Sequence, residues 1–298
     1  MDLGGTTFKA LAVSQAGRIL DRVQADTQAD GEPAVVAQNM VAAIRRLQDR
    51  MSSSSHLRGV GFGIPGILDL PAGIVRRSPN LPRWQGFDFR AVVGQHLDVP
   101  FTIENDANAA VLGEAWLGAG RGMTHVTMIT LGTGVGGGVI IDGEILHGTH
   151  GYAGELGHTV VDPNGPQCGC GSYGCLEQFA SGTAIARMAE PHYGTVTAET
   201  VAQEARRGDP PAIAVYQNVG KYLGIAGASF ANLLNPQCLV LGGAVAQAFD
   251  LFIETMRDTM RERSFAEVYD RLRIVPATCG TDAGGLGAAY QAMQLVNP

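Results

Sequence analysis

A chain of 298 residues that is 45% hydrophobic and 16% charged can bury the cores of one or two domains. Its net charge of −7, with no lysine/arginine cluster, argues against nucleic acid and anionic membrane as partners. No basic patch followed by an apolar run opens the sequence, so no signal peptide is read and a cytoplasmic location is expected.

In chain order, FKA runs into LAVSQAGRIL, a strand pair about a glycine turn. EPAVVAQNMVAAIRRLQDR carries Val36, Met40, Ile44 and Leu47 on one stripe, the period of an amphipathic helix. SSSSH is a flexible loop, LRGVGFGIPGILD a strand, FDFRAVVGQHL a short helix and PFTIEN a strand. DANAAVLGEAWLGA is a helix opened by the capping carboxylate of Asp106. HVTMITLGTGVGGGVIIDGEIL is a second strand–turn–strand unit, and the chain beyond it is expected to be largely helical as far as the strand CLVLGG. A helix, the strand LRIVPAT and a glycine-rich terminal helix, AGGLGAAYQAMQ, complete the chain. Strands and helices in this order predict an α/β protein. The uncharged run between Lys221 and Asp250 is interrupted by Asn232, Asn235, Pro236 and Gln237. It is therefore read as a buried helix (about 212–234), a turn and a buried strand, not as a membrane span.

An internal echo organises these elements. DLGGTTFKALAVSQAGRIL, from Asp2, resembles TLGTGVGGGVIIDGEIL, from Thr130: each has a Gly/Thr turn between strands and a second glycine turn leading to Ile-Leu. Two such units predict two related domains facing a cleft, with a boundary near residue 110. Gly132–Gly137 and Gly61–Gly66 both satisfy G-x-G-x-x-G formally. The strand-like VIIDGEIL after the first makes it a hairpin, whereas a dinucleotide site needs a helix there. Such hairpins are either ordinary turns or phosphate cradles, since converging backbone N–H groups bind anions.

CGCGSYGC, Cys168 to Cys175, packs three of five cysteines into eight residues, ten residues after GELGH. An odd count rules out a complete disulfide framework, and C-x-C is not the C-x-x-C of a redox helix. Cys168, Cys170 and Cys175 with His158 make a Cys3His set suited to structural Zn²⁺, and Gly169, Gly171 and Gly174 permit the tight turns of a knuckle. The competing reading is of loop cysteines beside a surface histidine. Cys238 and Cys279 lie in apolar, strand-like runs and read as packing residues.

DLGGTTFK at 2–9, IENDANAA at 103–110, LGTGVGGGVI at 131–140, GELGH at 154–158, CGCGSYGCLE at 168–177 and LVLGGAV at 239–245 run in one order over nearly the whole chain. In this the sequence resembles the sugar kinases of the ROK family, and among them bacterial glucokinases. The resemblance implies a two-domain actin/hexokinase-like (ribonuclease H-like) ATPase fold with an interdomain cleft. Residues 1–110 would form a small domain onto which helix 284–298 packs back. Residues 111–298 would form a large one with the zinc knuckle and a dimerisation surface. It also implies ATP- and Mg²⁺-dependent phosphorylation of the 6-hydroxyl of a hexose, with glucose first and N-acetylmannosamine, N-acetylglucosamine, mannose or fructose as alternatives. Asp106, which from the residues alone is either a base or an N-cap, becomes the catalytic base. Asn80, Asn105, Asp106, Glu155, His158 and Glu177 become sugar contacts. Gly4, Gly5, Thr6, Thr7 and Lys9 would face ATP with Gly132, Thr133, Gly134, Gly242 and Gly243; Lys9 either approaches the phosphates or points outward. Asp2 would organise Mg²⁺ through water, and a homodimer or homotetramer is implied. A DNA-binding repressor and a non-catalytic sugar sensor are the rivals within the family, and polyphosphate is a rival donor. Relatives carry several apolar residues before the aspartate at position 2. Either the native start lies upstream, or the first strand is pinned by fewer hydrogen bonds.

Overall fold

β-Branched and aromatic runs punctuated by glycine build the first sheet of the structure, a computed structural model that describes residues 1–51 and 55–296. Ser52–Ser54 of the expected SSSSH loop, and the last two residues of the expected helix 284–298, lie outside the described residues. The sheet contains β1 (Asp2–Leu3), β2 (Thr7–Val13), β3 (Ile19–Asp26), β4 (Val60–Ile64) and β8 (Phe101–Asn105), in the order β3-β2-β1-β4-β8. β1 to β3 pair antiparallel, whereas β1–β4 and β4–β8 pair parallel, with Gly63 opposite Glu104 and Ile64 opposite Asn105. The main chain of Met1 extends the β1 side of this ladder: its nitrogen donates to Gly61 O at 2.8 Å and its carbonyl accepts from Gly63 N at 2.9 Å.

The expected stripe of α1 (Pro33–Arg50) is buried at Val36, Met40, Ile44 and Leu47. The strand expected over LRGVGFGIPGILD is two strands. Pro65 has no N–H for a ladder and Gly66 turns the chain at φ +109°, so β4 ends and β5 (Ile67–Asp69) starts a separate sheet with β6 (Ile74–Arg77) and β7 (Phe87–Asp88). Trp84, Phe89 of α2 (Phe89–Gly94) and Phe62 cluster beside it, with Phe62 and Phe89 rings edge-on at 5.1 Å. Helices α3 (Asp106–Leu117) and α10 (Ala283–Val296) cross in direct contact. A Cβ on Gly287 would stand 1.7 Å from Ala109 O, which is why that position has no side chain.

The second sheet repeats the first: β9 (Val126–Leu131), β10 (Val135–Ile141), β11 (Glu144–Ile145), β12 (Cys238–Gly242) and β13 (Arg273–Pro276) lie in the order β11-β10-β9-β12-β13. Again an antiparallel ribbon adjoins parallel strands, so the two halves of the echo hold the same place in each sheet. Helices α4 (Glu177–Ala180), α5 (Gly182–Tyr193), α6 (Ala198–Arg206), α7 (Pro210–Leu234), α8 (Phe249–Arg263) and α9 (Ala266–Tyr269) accompany it. The uncharged run is the end of α7, a left-handed turn at Asn235 and the buried strand β12. Among the described residues no helix is long and apolar enough to cross a membrane.

Helix does not fill the stretch after β11. Residues 146–176 are turns with a 3-10 turn at Leu156–His158 and isolated antiparallel bridges between Val160 and Cys175 and between Gln167 and Tyr173; glycines at 148, 151, 154, 171 and 174 all adopt positive φ. Cys238 is buried in β12, but Cys279 sits half-buried in a bend beyond β13, outside any strand. Two compact units emerge: Met1–Gly122 with Ile145–Ala153 and Thr281–Pro298, and Met123–Glu144 with Gly154–Gly280. Position 110 falls inside α3, which the first unit holds whole.

Candidate active site

In the first unit β8 ends at Asn105 and α3 begins at Asp106. The cap is Asn105 and not Asp106 as expected from the sequence: its Oδ1 accepts from Ala107 N at 2.9 Å and Asn108 N at 3.1 Å, and its Nδ2 donates to Gly66 O at 3.0 Å. Asp106, half-buried, is the first helical residue, and its Oδ1 also accepts from Ala107 N at 2.9 Å. The positive end of α3 favours its ionised form.

The Gly4–Thr7 turn closes by Gly4 N donating to Thr7 O at 2.9 Å. Thr27, buried and without a signature in the sequence, holds it from behind: its N donates to Thr6 O at 2.8 Å and its Oγ1 to Gly4 O at 2.7 Å. Exposed Asn80 packs on this turn, since a Cβ on Gly5 would stand 3.1 Å from Asn80 Cβ. Asp2 lies against the first turn of α10, where a Cβ on Gly284 would reach within 2.8 Å of its carboxyl carbon. Burial pushes the Asp2 carboxyl above its ordinary value, while the chain's amino group and Lys9 oppose that. Lys9 does not simply point outward. Its ammonium donates to Thr281 O at 2.8 Å, Thr281 Oγ1 at 2.9 Å and Asp282 Oδ1 at 3.1 Å, one acceptor for each of its three hydrogens.

In the second unit the Gly132–Thr133–Gly134 hairpin joins β9 to β10. Three bonds from one stretch of chain hold it: Gly182 N donates to Gly132 O at 2.8 Å, Thr183 Oγ1 to Thr133 O at 2.8 Å, and Val135 N to Glu177 Oε2 at 3.0 Å. Glu177, expected as a sugar contact, thus braces the Gly132–Gly134 hairpin through Val135 N. Gly182 and Thr183 are not among the residues expected from the sequence, where no local pattern marks them. Gly243, with φ +89°, lies against the end of β9, where a Cβ would be 2.3 Å from Leu131 O. Gly242 is the buried last residue of β12. Glu155 keeps 44% side-chain exposure, yet desolvation pushes its carboxyl up, with His158 opposing and Glu177 adding to the shift.

The expected zinc ligands converge. His158 and Cys168, Cys170 and Cys175 offer ligand atoms all within 4.8 Å of one another. Cys170 Sγ and Cys175 Sγ are 3.6 Å apart, as are Cys168 Sγ and His158 Nδ1. Zinc bonded to sulfur at about 2.3 Å in a tetrahedron sets S···S edges of about 3.8 Å, so the cage fits the ion. Burial pushes the Cys175 thiol up to about 12 and raises Cys168 as well. A divalent cation at the centre would reverse that preference, because coordination takes the thiolate. Nε2 of His158 faces away, 4.0 Å from Glu155 Oε2. The knuckle hairpin needs only two of its three glycines: Gly171 and Gly174 have positive φ, whereas a Cβ on Gly169 would meet nothing. Tyr222 of α7 steadies it by donating to Asp162 Oδ2 at 3.1 Å and stacking on Phe179.

Two copies of one five-stranded sheet, each with a Gly/Thr turn joining its first antiparallel strands, define the actin/hexokinase-like class of ATPase folds. The sequence model of the ROK family matches residues 1–294, and the chain belongs to that family. It is 37% identical to the glucokinase of Halalkalibacterium halodurans, over 100% of this chain and 95% of that one. The structure resembles the ROK hexokinase of Thermus thermophilus with a TM-score of 0.87 and 34% identity, covering 99% of this chain and 97% of that one. It resembles the ROK glucokinase of Streptomyces griseus, solved in complex with glucose and AMPPNP, with a TM-score of 0.84 and 33% identity over 98% of each chain.

Proposed function

We propose that the protein is an ATP- and Mg²⁺-dependent hexokinase that transfers the γ-phosphoryl group to the 6-hydroxyl of glucose. The observation that carries this is the β8–α3 junction, where Asn105 caps the helix and Asp106 presents a carboxylate at its positive end. Such a carboxylate accepts the proton of a sugar hydroxyl as that oxygen attacks phosphorus. The two Gly/Thr turns supply backbone N–H groups to the phosphates. Asp2 would hold Mg²⁺ through water, and the bound ion would neutralise charge on the transferring phosphoryl group. Asn80, Asn105, Glu155, His158 and Glu177 are assigned to the sugar hydroxyls. His158 would serve zinc through Nδ1 and sugar through Nε2, the zinc being structural. Glucose as acceptor is supported by the glucokinase relatives, and a cytoplasmic homodimer or homotetramer belongs to the same proposal.

The test is ADP release with MgATP against glucose, mannose, fructose, N-acetylglucosamine and N-acetylmannosamine. Turnover of glucose above the other four is expected. A preference for another sugar would overturn glucose as the acceptor, activity only with polyphosphate would overturn ATP as the donor, and silence across both donors would overturn the kinase.

A further inference from the structure

Glu104, the residue before the Asn105–Asp106 pair, is 1% exposed and has no place in the proposed chemistry. A buried carboxylate is costly unless its lone pairs are satisfied. Here four donors satisfy them. Oε1 accepts from Asn105 N at 2.9 Å and Asn108 Nδ2 at 2.9 Å; Oε2 accepts from His147 Nε2 at 2.7 Å and Gln291 Nε2 at 2.6 Å. Burial alone would raise this carboxyl, yet the bonds from His147, Asn108 and Gln291 outweigh it and hold the group below its ordinary value.

The two oxygens do different work. Oε1 grips positions 105 and 108, on either side of Asp106, and so fixes the turn that presents that residue. Oε2 is gripped in turn by His147, from the Ile145–Ala153 segment, and by Gln291, from α10. Because an ionised carboxylate only accepts, His147 must carry its proton on Nε2.

We infer that His147 and Gln291 are positioning residues for the base, acting on Asp106 through Glu104. Loss of the His147 bond leaves one buried lone pair of Oε2 without its donor and lets the carboxylate swing. Oε1 then no longer registers positions 105 and 108, and Asp106 drifts from its attack geometry. Displacements of about 1 Å at a reacting group cost roughly 10²-fold in rate.

The inference rests on Asp106 as base, and two readouts separate the two ideas. His147→Ala, His147→Gln and Gln291→Met are compared with the unsubstituted chain for kcat, for KM of ATP and for amide exchange across residues 103–110. In His147→Ala, kcat should fall roughly 10–100-fold while KM for ATP stays within about twofold, and exchange across 103–110 should accelerate. His147→Gln keeps an N–H donor and should restore both, and Gln291→Met should weaken both as His147→Ala does. Unchanged kcat and exchange in His147→Ala, or equal losses in the Ala and Gln variants, would overturn the inference. If the unsubstituted chain turned over no sugar, the proposed function would fail by itself. The exchange data would still decide the network, and unchanged protection in His147→Ala would sink it.

Discussion

At the turn from β8 to α3, two adjacent polar residues share the end of a helix where the sequence alone leaves Asp106 either a base or an N-cap. Asn105 takes the helix amides and Asp106 is left at the positive end of the helix, where its ionised form is favoured. A comparable economy holds at Gly134, where a Cβ would stand 2.5 Å from Glu177 Oε2, the oxygen that accepts from Val135 N. Gly134→Ala must therefore push Glu177 off the hairpin. We expect a rise of about tenfold or more in KM for ATP, with a stability loss of roughly 1–3 kcal/mol from the broken charge-assisted bond at Val135 N. Steady-state kinetics and denaturant unfolding check both; an unaltered KM for ATP would mean that the hairpin does not hold nucleotide.

Among elements, the cysteine knuckle has the widest consequences. It is built from turns, carries His158 and leads straight into Glu177, so the bound ion would order a stretch with almost no regular secondary structure of its own. Metal analysis of the purified protein should find about one zinc per chain. Its removal by a chelator should lower the melting temperature and weaken glucose binding together. A metal-free preparation with unchanged melting and glucose affinity would contradict the knuckle's role. The sequence made this element legible because the four ligands lie within eighteen positions of one another. It did not reveal the sheet β5–β6–β7, whose strands of two to four residues are too short for a period-2 pattern. Its broad expectation of a largely helical chain beyond β11 also passed over the turns ahead of the knuckle, where glycines 148, 151 and 154 adopt positive φ.

At the scale of the molecule, duplication is the organising fact, and it was visible because a Gly/Thr turn, a second glycine turn and Ile-Leu recur in the same order after Asp2 and after Thr130. Local pattern could not bring the chain's last helix onto the residue before the Asn105–Asp106 pair: Gln291 reaches Glu104 across 187 positions, and His147 across 43. The Gly4–Thr7 turn likewise depends on Thr27, which carries no local signature. Motif residues were therefore readable, and the groups that hold them in place were not. The most direct test of Asp106 as the base is turnover and glucose affinity of Asp106→Asn, whose amide keeps the shape but takes up no proton. Turnover should fall by roughly 10²–10⁴-fold while the glucose dissociation constant stays within a few-fold. Turnover close to that of the unsubstituted enzyme would contradict that role, and with it the reading of the β8–α3 junction as the place where the sugar loses its proton.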